Sequence, residues 1–212
     1  MRRILIIDDH VVVRQGLIQL LAILLEPAVE FDEASTGQEG MDLINKWEYS
    51  LVLLDISLPG RNGLDVLGQI RQVKPKLPVL ILSMYPDEQY AVRSLRAGAS
   101  GYLNKASAAE ELKGAIEKTL RGERYVTPLQ ATLLADAISE NYEAAGLHNL
   151  LSDREYQFVC MLASGKTMTQ IAQDLNLSIK TISSYRSRVL EKLRLKTNAD
   201  LINYCITHGL LM

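Results

Sequence analysis

The sequence predicts a doubly wound α/β domain with a five-stranded parallel sheet, followed by a small all-α domain. Three observations predict it. Short, wholly apolar runs such as Leu51–Leu54 end abruptly at a polar residue in a turn, the pattern of strands buried on both faces. Helically periodic segments separate these runs, and strict alternation of strand and helix requires right-handed crossovers that bring the strands' carboxyl ends to one edge. Beyond about residue 122 the strand pattern stops and only helices with capping signals follow.

Taken in order, Arg3–Ile7 (RILII) is a buried strand ending at Asp8 and Asp9. A helix over Val11–Leu25 follows, its apolar stripe made of Val13, Leu17, Leu20, Leu21 and Leu24. Val29–Ala34 reads as a strand and Gly37–Trp47 as a helix turning Met41, Leu43 and Ile44 inward. The stretch LVLLDISLPGRNG then runs through a central strand and delivers Asp55 into a Pro and Gly turn. Gly63–Val73, Glu88–Ala97 and Ala108–Arg121 supply three more helices. Between them lie the strand Pro78–Leu82, ending at Ser83, and a short one, Gly101–Leu103, ending at Asn104 and Lys105. This gives a domain over 1–121, then a linker over 122–149 with one helix, Pro128–Ile138, and a second domain over 150–212.

In that second domain Ser152, three residues before Glu155, forms a capping box, opening a helix with Tyr156, Val159, Cys160, Leu162 and Ala163 inward. Gly165 ends it, and Met168–Leu175 is a second helix with Ile171, Ala172 and Leu175 inward. Asn176 and Leu177 turn the chain, Ser178 caps a third helix over Ile179–Leu193, and Ala199–His208 closes the core. Short helices joined by a tight turn make a helix-turn-helix. On the third helix Ile182, Val189 and Leu193 face inward, with Tyr185 or Arg186 bridging. That leaves Lys180, Thr181, Ser183, Ser184, Ser187 and Arg188 outside, placed by the scaffold helix to enter a major groove.

At 212 residues with 48% hydrophobic content the chain has enough apolar material for ordinary cores. No apolar run approaches the roughly 20 residues that span a membrane, and no basic leader opens the chain, so a cytoplasmic protein without membrane partners is expected. Cys160 and Cys205 sit at apolar helical positions without metal-ligand spacing and are assigned to core packing, and His148 and His208 are too far apart in sequence to predict zinc. From Leu147 onward eight basic side chains face five acidic ones, and before it fifteen face twenty. Only the tail is therefore suited to a polyanion.

At the shared strand edge Asp8, Asp9, Asp55, Ser83 and Lys105 converge. Crowded carboxylates call for a cation, and hard oxygen donors with few fixed protein ligands suit Mg2+, which readily takes a phosphate oxygen. The edge is built for phosphoryl chemistry on Asp55. His10, beside the acidic pair, is expected mainly to start a helix, and Trp47 and Tyr49 to pack at an edge.

The set Asp8, Asp9, Asp55, Ser83 and Lys105, with Tyr102 ahead of the lysine, resembles the flavodoxin-like receiver domain of two-component response regulators. That resemblance implies that Asp55 takes a phosphoryl group from a phosphohistidine of a sensor histidine kinase. It implies Mg2+ held by Asp9, Asp55 and the Ser57 backbone carbonyl, with Asp8 reaching it through water. Lys105 and Ser83 would meet the phosphoryl oxygens, and Tyr102 would be a switch. Ser83 reaches the phosphoryl group only if the Ser83–Pro86 loop shifts inward, vacating space for Tyr102 to rotate and altering the surface of the fourth and fifth helices. Asp55 is expected near the surface, dispensable for packing.

The run from Leu151 to Leu193 resembles the LuxR-type DNA-binding domain, and the two halves together resemble a NarL/FixJ-family response regulator. The family implies a transcription regulator rather than an enzyme, with double-stranded promoter DNA as a partner, an active homodimer, and Lys192 among the DNA contacts. Four positions depart from it. Tyr185 stands where His is common, Arg194 where Gly is common, Ala106 where Pro often follows the lysine, and the bulky Met84 beside the switch hydroxyl. A phosphohydrolase of the haloacid dehalogenase type also uses a strand-end Asp with Mg2+, but it needs a second Asp where Ser57 stands. The remaining alternative is a DNA-binding regulator controlled by a partner or ligand without phosphorylation.

Overall fold

A computed structural model describes residues 2–25, 29–106, 108–139, 146–208 and 210. The chain divides into two compact units, Met1–Leu134 and Ala135–Met212.

In the first unit β1 (Arg2–Ile7), α1 (Val11–Leu24), β2 (Val29–Ala34), α2 (Gly37–Lys46), β3 (Leu51–Asp55), α3 (Gly63–Val73), β4 (Val79–Ser83), α4 (Asp87–Arg96), β5 (Gly101–Asn104) and α5 (Ala108–Leu120) follow one another. The sheet is wholly parallel, in the order β2-β1-β3-β4-β5. The order reverses at β1, so the crevice at the carboxyl ends of β1 and β3 is where such a sheet accepts a ligand. One sheet face carries Ile4, Ile6, Leu51, Leu53, Leu80, Leu82 and Leu103, covered by Leu17 and Leu21 of α1 and by Leu112, Ala115 and Ile116 of α5. Every residue of β3 and β4 is buried, which is why both read as unbroken apolar runs.

The strands run further than the sequence predicts at their functional ends. β4 includes Ser83 and β5 includes Asn104, because the Lys105 N–H donates to the Ser83 carbonyl (2.7 Å) and continues the ladder. Pro78 stays outside β4, having no N–H to give, but its carbonyl accepts from Val52 N–H at 2.9 Å. Arg14, absent from the expected stripe of α1, is buried, since its guanidinium donates to Glu33 Oε2 (2.9 Å) and the Asp8 carbonyl (2.5 Å). After β3 the chain folds back tightly. A Cβ on Gly63 would lie 2.0 Å from the Asp55 carbonyl oxygen, so only glycine lets α3 begin there. Asn62, the N-cap of α3, accepts from Leu64 N–H and fixes that start.

Residues after α5 complete this unit. Tyr125 forms a parallel bridge with Gly101 and its N–H donates to the Ser100 carbonyl (2.8 Å). The next helix, α6 (Pro128–Ser139), sends the buried Gln130 amide to Asp87 Oδ2 (2.9 Å) and the Tyr102 carbonyl (3.0 Å). The amino-terminal turns of α6 are thereby tied to α4 and β5.

The second unit holds a 3-10 turn (Leu147–Leu150), α7 (Asp153–Ala163), α8 (Met168–Asp174), α9 (Ile179–Lys192) and α10 (Asn198–Thr207). The Ser152 and Glu155 capping box forms, and further boxes of the same type open α8 (Thr167 and Gln170) and α10 (Thr197 and Asp200). Phe158, Val159, Ile171, Ile182, Val189, Leu201 and Cys205 make the core. Leu190, absent from the expected stripe, also packs inward. Asn176 (φ 52°) and Arg194 (φ 57°) take the left-handed backbone that favours glycine. For Asn176 this makes the turn of the helix-turn-helix, and Arg194 does it where the resemblance anticipates Gly. Both cysteines are buried and neither is in a disulfide among the described residues. His148 and His208, distant in sequence, have rings 5.8 Å apart, with Tyr204 stacked on His208 at 3.9 Å. Among the described residues no helix is long and apolar enough to cross a membrane.

Candidate functional site

At the carboxyl edge of the sheet three elements deliver the reactive groups. Asp8, 1% exposed, directly follows β1, and β3 ends at Asp55, 3% exposed. Lys105, from the turn after β5, places its Nζ 2.6 Å from Asp8 Oδ2 and 3.0 Å from Asp55 Oδ2. The expectation of a surface carboxylate at Asp55 is therefore wrong: the side chain is buried at the strand end beside Lys105 and Asp8. Two buried carboxylates side by side repel, and the shared ammonium offsets this. Burial, and then the neighbouring Asp8 charge, push the Asp55 carboxyl above the ordinary aspartate range, while Lys105 and the Ser57 N–H pull it back. Burial alone would lower the Lys105 pKa, but Asp55 and Asp8 outweigh it and hold the ammonium above the usual lysine value.

Asp9 is exposed beside them. The His10 Nδ1 lies 2.8 Å from Asp9 Oδ1 and 3.3 Å from Asp8 Oδ1, and the His10 N–H donates to Asp8 Oδ1 (2.8 Å). One ligand atom from each of Asp8, Asp9, His10 and Asp55 falls within 4.8 Å of the others. His10 begins α1 as expected, but its ring also joins the cluster, because the cap position turns it back over the strand end.

Ser83 is wholly buried at the end of β4. Its Oγ accepts from Tyr85 N–H (3.1 Å), and its hydroxyl is also hydrogen-bonded to Tyr102. Tyr102 is buried too, and its phenol donates to the Tyr85 carbonyl at 2.6 Å. The expected motion moves Tyr102 into space vacated by the loop; in the structure the ring already lies inside and is bonded to that loop. Burial pushes the phenol pKa well above its ordinary value. Met84 points out, 70% exposed, so it stands at the rim and does not fill the cluster.

On α9, Lys180, Ser183, Ser184, Ser187 and Arg188 are exposed and Thr181 is half-buried. The Ser184 hydroxyl donates to the Lys180 carbonyl (3.0 Å) and that of Ser187 to the Ser183 carbonyl (3.1 Å), leaving their lone pairs outward. Lys180 and Arg188 have no acidic partner among the described residues. Lys192 differs: its Nζ lies 2.6 Å from Glu155 Oε2 and 3.2 Å from the Leu150 carbonyl. Glu155 is spent on its own capping box and on this lysine, a pairing that the helical spacing of α9 alone does not reveal.

The response regulator receiver domain profile matches residues 4–117. The profile of bacterial regulatory proteins of the luxR family matches residues 149–205. Over 210 residues the chain is 30% identical to the response regulator GacA of Pseudomonas aeruginosa, covering 99% of this chain and 98% of GacA. It is 32% identical over 215 residues to the oxygen regulatory protein NreC of Staphylococcus carnosus, covering 99% of each. Among solved structures it resembles RcsB from Salmonella enterica serovar Typhimurium, bound to promoter rprA in the presence of the phosphomimetic BeF3-. The TM-score is 0.62 at 26% identity, over 96% of this chain and 98% of that one. The chain thus belongs to the response regulators of the NarL/FixJ family, in which a receiver domain is followed by a LuxR-type DNA-binding domain.

Proposed function

We propose that Asp55 accepts a phosphoryl group from a phosphohistidine of a sensor histidine kinase in the cytoplasm, and that the modified chain binds promoter DNA as a homodimer. The observation that carries this reading is the Lys105 ammonium seated between Asp8 and Asp55. Three carboxylates against one lysine leave surplus negative charge, and their oxygen donors fit a small hard cation such as Mg2+. Asp8, Asp9 and Asp55 would hold it together with the Ser57 carbonyl; when bound, the ion screens the carboxylates and takes a phosphoryl oxygen.

The chain's own groups do the rest. An Asp55 carboxylate oxygen bonds to phosphorus as the phosphorus–nitrogen bond breaks, and the kinase imidazole leaves with the electron pair. Lys105 and the Ser57 N–H hold Asp55 toward its ionised, nucleophilic form against the cost of burial. The new phosphoryl group adds about 1.5 to 2 negative charges, which draw Lys105 from the carboxylates and give Ser83 an acceptor. The exposed Lys180 and Arg188 suit DNA phosphates, and Ser183, Ser184 and Ser187 suit base edges. RcsB, solved on promoter DNA with a phosphomimetic, supports both halves of the reading.

The test is incorporation of label from acetyl phosphate with Mg2+ into the wild type and Asp55→Ala. Uptake is expected in the wild type alone, and equal uptake in the variant would place the acceptor elsewhere. If beryllofluoride changed neither self-association nor DNA affinity in the wild type, the protein would instead be a DNA-binding regulator governed by a partner or ligand.

A further inference from the structure

The opposite edge of the sheet carries a second concave site. The turns before β4 and β5, the end of α3 and the residues after α5 enclose a cleft of about 290 Å³ lined by Arg71, Lys76, Thr119, Glu123 and Arg124 among others. That is at the lower end of the roughly 300–1,000 Å³ typical of small-ligand clefts.

Its charge is unbalanced. Arg71 spends its Nε on the Gly98 carbonyl (2.8 Å) and one terminal nitrogen on the Leu77 carbonyl (2.5 Å), which fixes the guanidinium without neutralising it. Burial, and the like charge of Arg124 facing it, lower the Arg71 pKa. Arg124 and Lys76 have no acidic partner among the described residues, and the one acid in the lining, Glu123, is paired with Arg121 at 2.8 Å. Three cations thus meet in one cleft of a unit whose overall charge is acidic. Thr119 is 1% exposed, and its hydroxyl has no hydrogen-bond partner among the described residues. A buried hydroxyl without a partner is costly and rare.

We propose that this cleft, formed by Arg71, Lys76, Arg124 and Thr119, binds a small phosphate-type oxyanion, free or as the head of a phosphorylated metabolite. The Arg124 guanidinium fork can take such an anion bidentately, Arg71 can add its remaining terminal nitrogen, and the anion relieves the repulsion between Arg71 and Arg124. The hydroxyl of Thr119 supplies a further donor. The ligand would touch Gly122–Arg124, the segment leading into Tyr125 and then α6, so this edge offers an input to the linker independent of Asp55.

The experiment is an amide chemical-shift titration of the full-length protein with pyrophosphate at constant ionic strength, without Mg2+ so that the carboxylate edge is silent. Saturable shifts centred on Gly98, Ser100 and Gly122 are expected, equal in wild type and Asp55→Asn. Arg124→Gln and Lys76→Gln change exposed side chains and are expected to weaken binding about tenfold or more each, as loss of a charged hydrogen bond does. Thr119→Val, which removes no existing bond, is expected to weaken it as well. Failure of these amides to shift, shifts spread over other basic surfaces, or undiminished binding in the Arg124→Gln/Lys76→Gln double variant would overturn the site. Glucose 6-phosphate against inorganic phosphate then separates a metabolite from the free ion.

Discussion

Asp55 shows how a residue at the proposed phosphoacceptor position can be costly to stability. Its pKa is raised, chiefly by burial, so the folded state binds its proton more tightly than the unfolded chain does. The linked stability is present below the unfolded aspartate pKa of about 3.9 and is lost as pH rises through the folded value. Asp55→Asn is therefore expected to raise Tm at pH 7, with the gain disappearing near about pH 4; a gain that persisted there would show that charge is not its cause. Lys105 has the opposite role at neutral pH. Its folded pKa lies above the ordinary lysine value, so its contribution is fully present below about pH 10.4 and lost above the folded pKa. Lys105→Ala leaves two buried carboxylates facing each other and is expected to cost about 3 kcal/mol in the absence of divalent ions. Adding Asp8→Asn should recover much of that loss in a double-mutant cycle read by denaturant unfolding. Purely additive losses would mean that the shared ammonium is not what reconciles the carboxylates.

At the scale of elements, α9 separates groups that its sequence presents alike. Lys180, Arg188 and Lys192 are all basic residues of one helix, but only the first two have no acidic partner among the described residues. Lys180→Ala and Arg188→Ala are expected to lower the salt slope of DNA binding by about one each. Lys192→Ala should leave that slope unchanged and instead destabilise the DNA-binding domain by about 0.5–1 kcal/mol, the pair being partly exposed. Burial works against the Glu155 charge, but Lys192 and the Ser152 hydrogen bonds outweigh it and hold the carboxyl below its usual range. Its contribution is thus present above about pH 4.3 and lost as pH falls through the folded value. Salt-dependent binding isotherms alongside unfolding curves check both parts, and a lowered slope for Lys192→Ala would return that residue to the interface. The serines carry less discrimination, since a hydroxyl accepts from or donates to any base.

Across the receiver the two buried hydroxyls of Ser83 and Tyr102 and the linker helix form one connected set. Ser83 bonds to Tyr102, Tyr102 to the Tyr85 carbonyl, and the Tyr102 carbonyl to Gln130 of α6, which also holds Asp87. A charge added at Asp55 that recruits Ser83 therefore pulls on a network ending in α6. Gln130→Ala is expected to leave beryllofluoride binding intact but to reduce its effect on self-association and operator affinity, and Tyr102→Ala to do the same. Sedimentation and DNA binding with and without beryllofluoride test this, and a full response in Gln130→Ala would remove α6 from the route. A dimer is the expected active form because two half-sites one helical turn apart multiply the modest specificity of one helix-turn-helix.

Much of this molecule is written in local pattern. Unbroken apolar runs and helical stripes between them specify a parallel α/β sheet, and such a sheet must bring Asp8, Asp55, Ser83 and Lys105 to one edge whatever the details of packing. Ser152 with Glu155, and Gly165, mark helix ends by backbone chemistry that acts within a few residues. Other features depend on neighbours far away in the chain. The pairing of Asp55 with Lys105 depends on residues fifty apart meeting at one edge, the burial of Arg14 on Glu33, and the pairing of Lys192 on Glu155. The meeting of His148 with His208, and of Arg71 with Arg124, likewise arises only once the helices have packed. Periodicity reports which face of an element turns inward, but a charge finds its partner through space, and only the tertiary structure sets that distance.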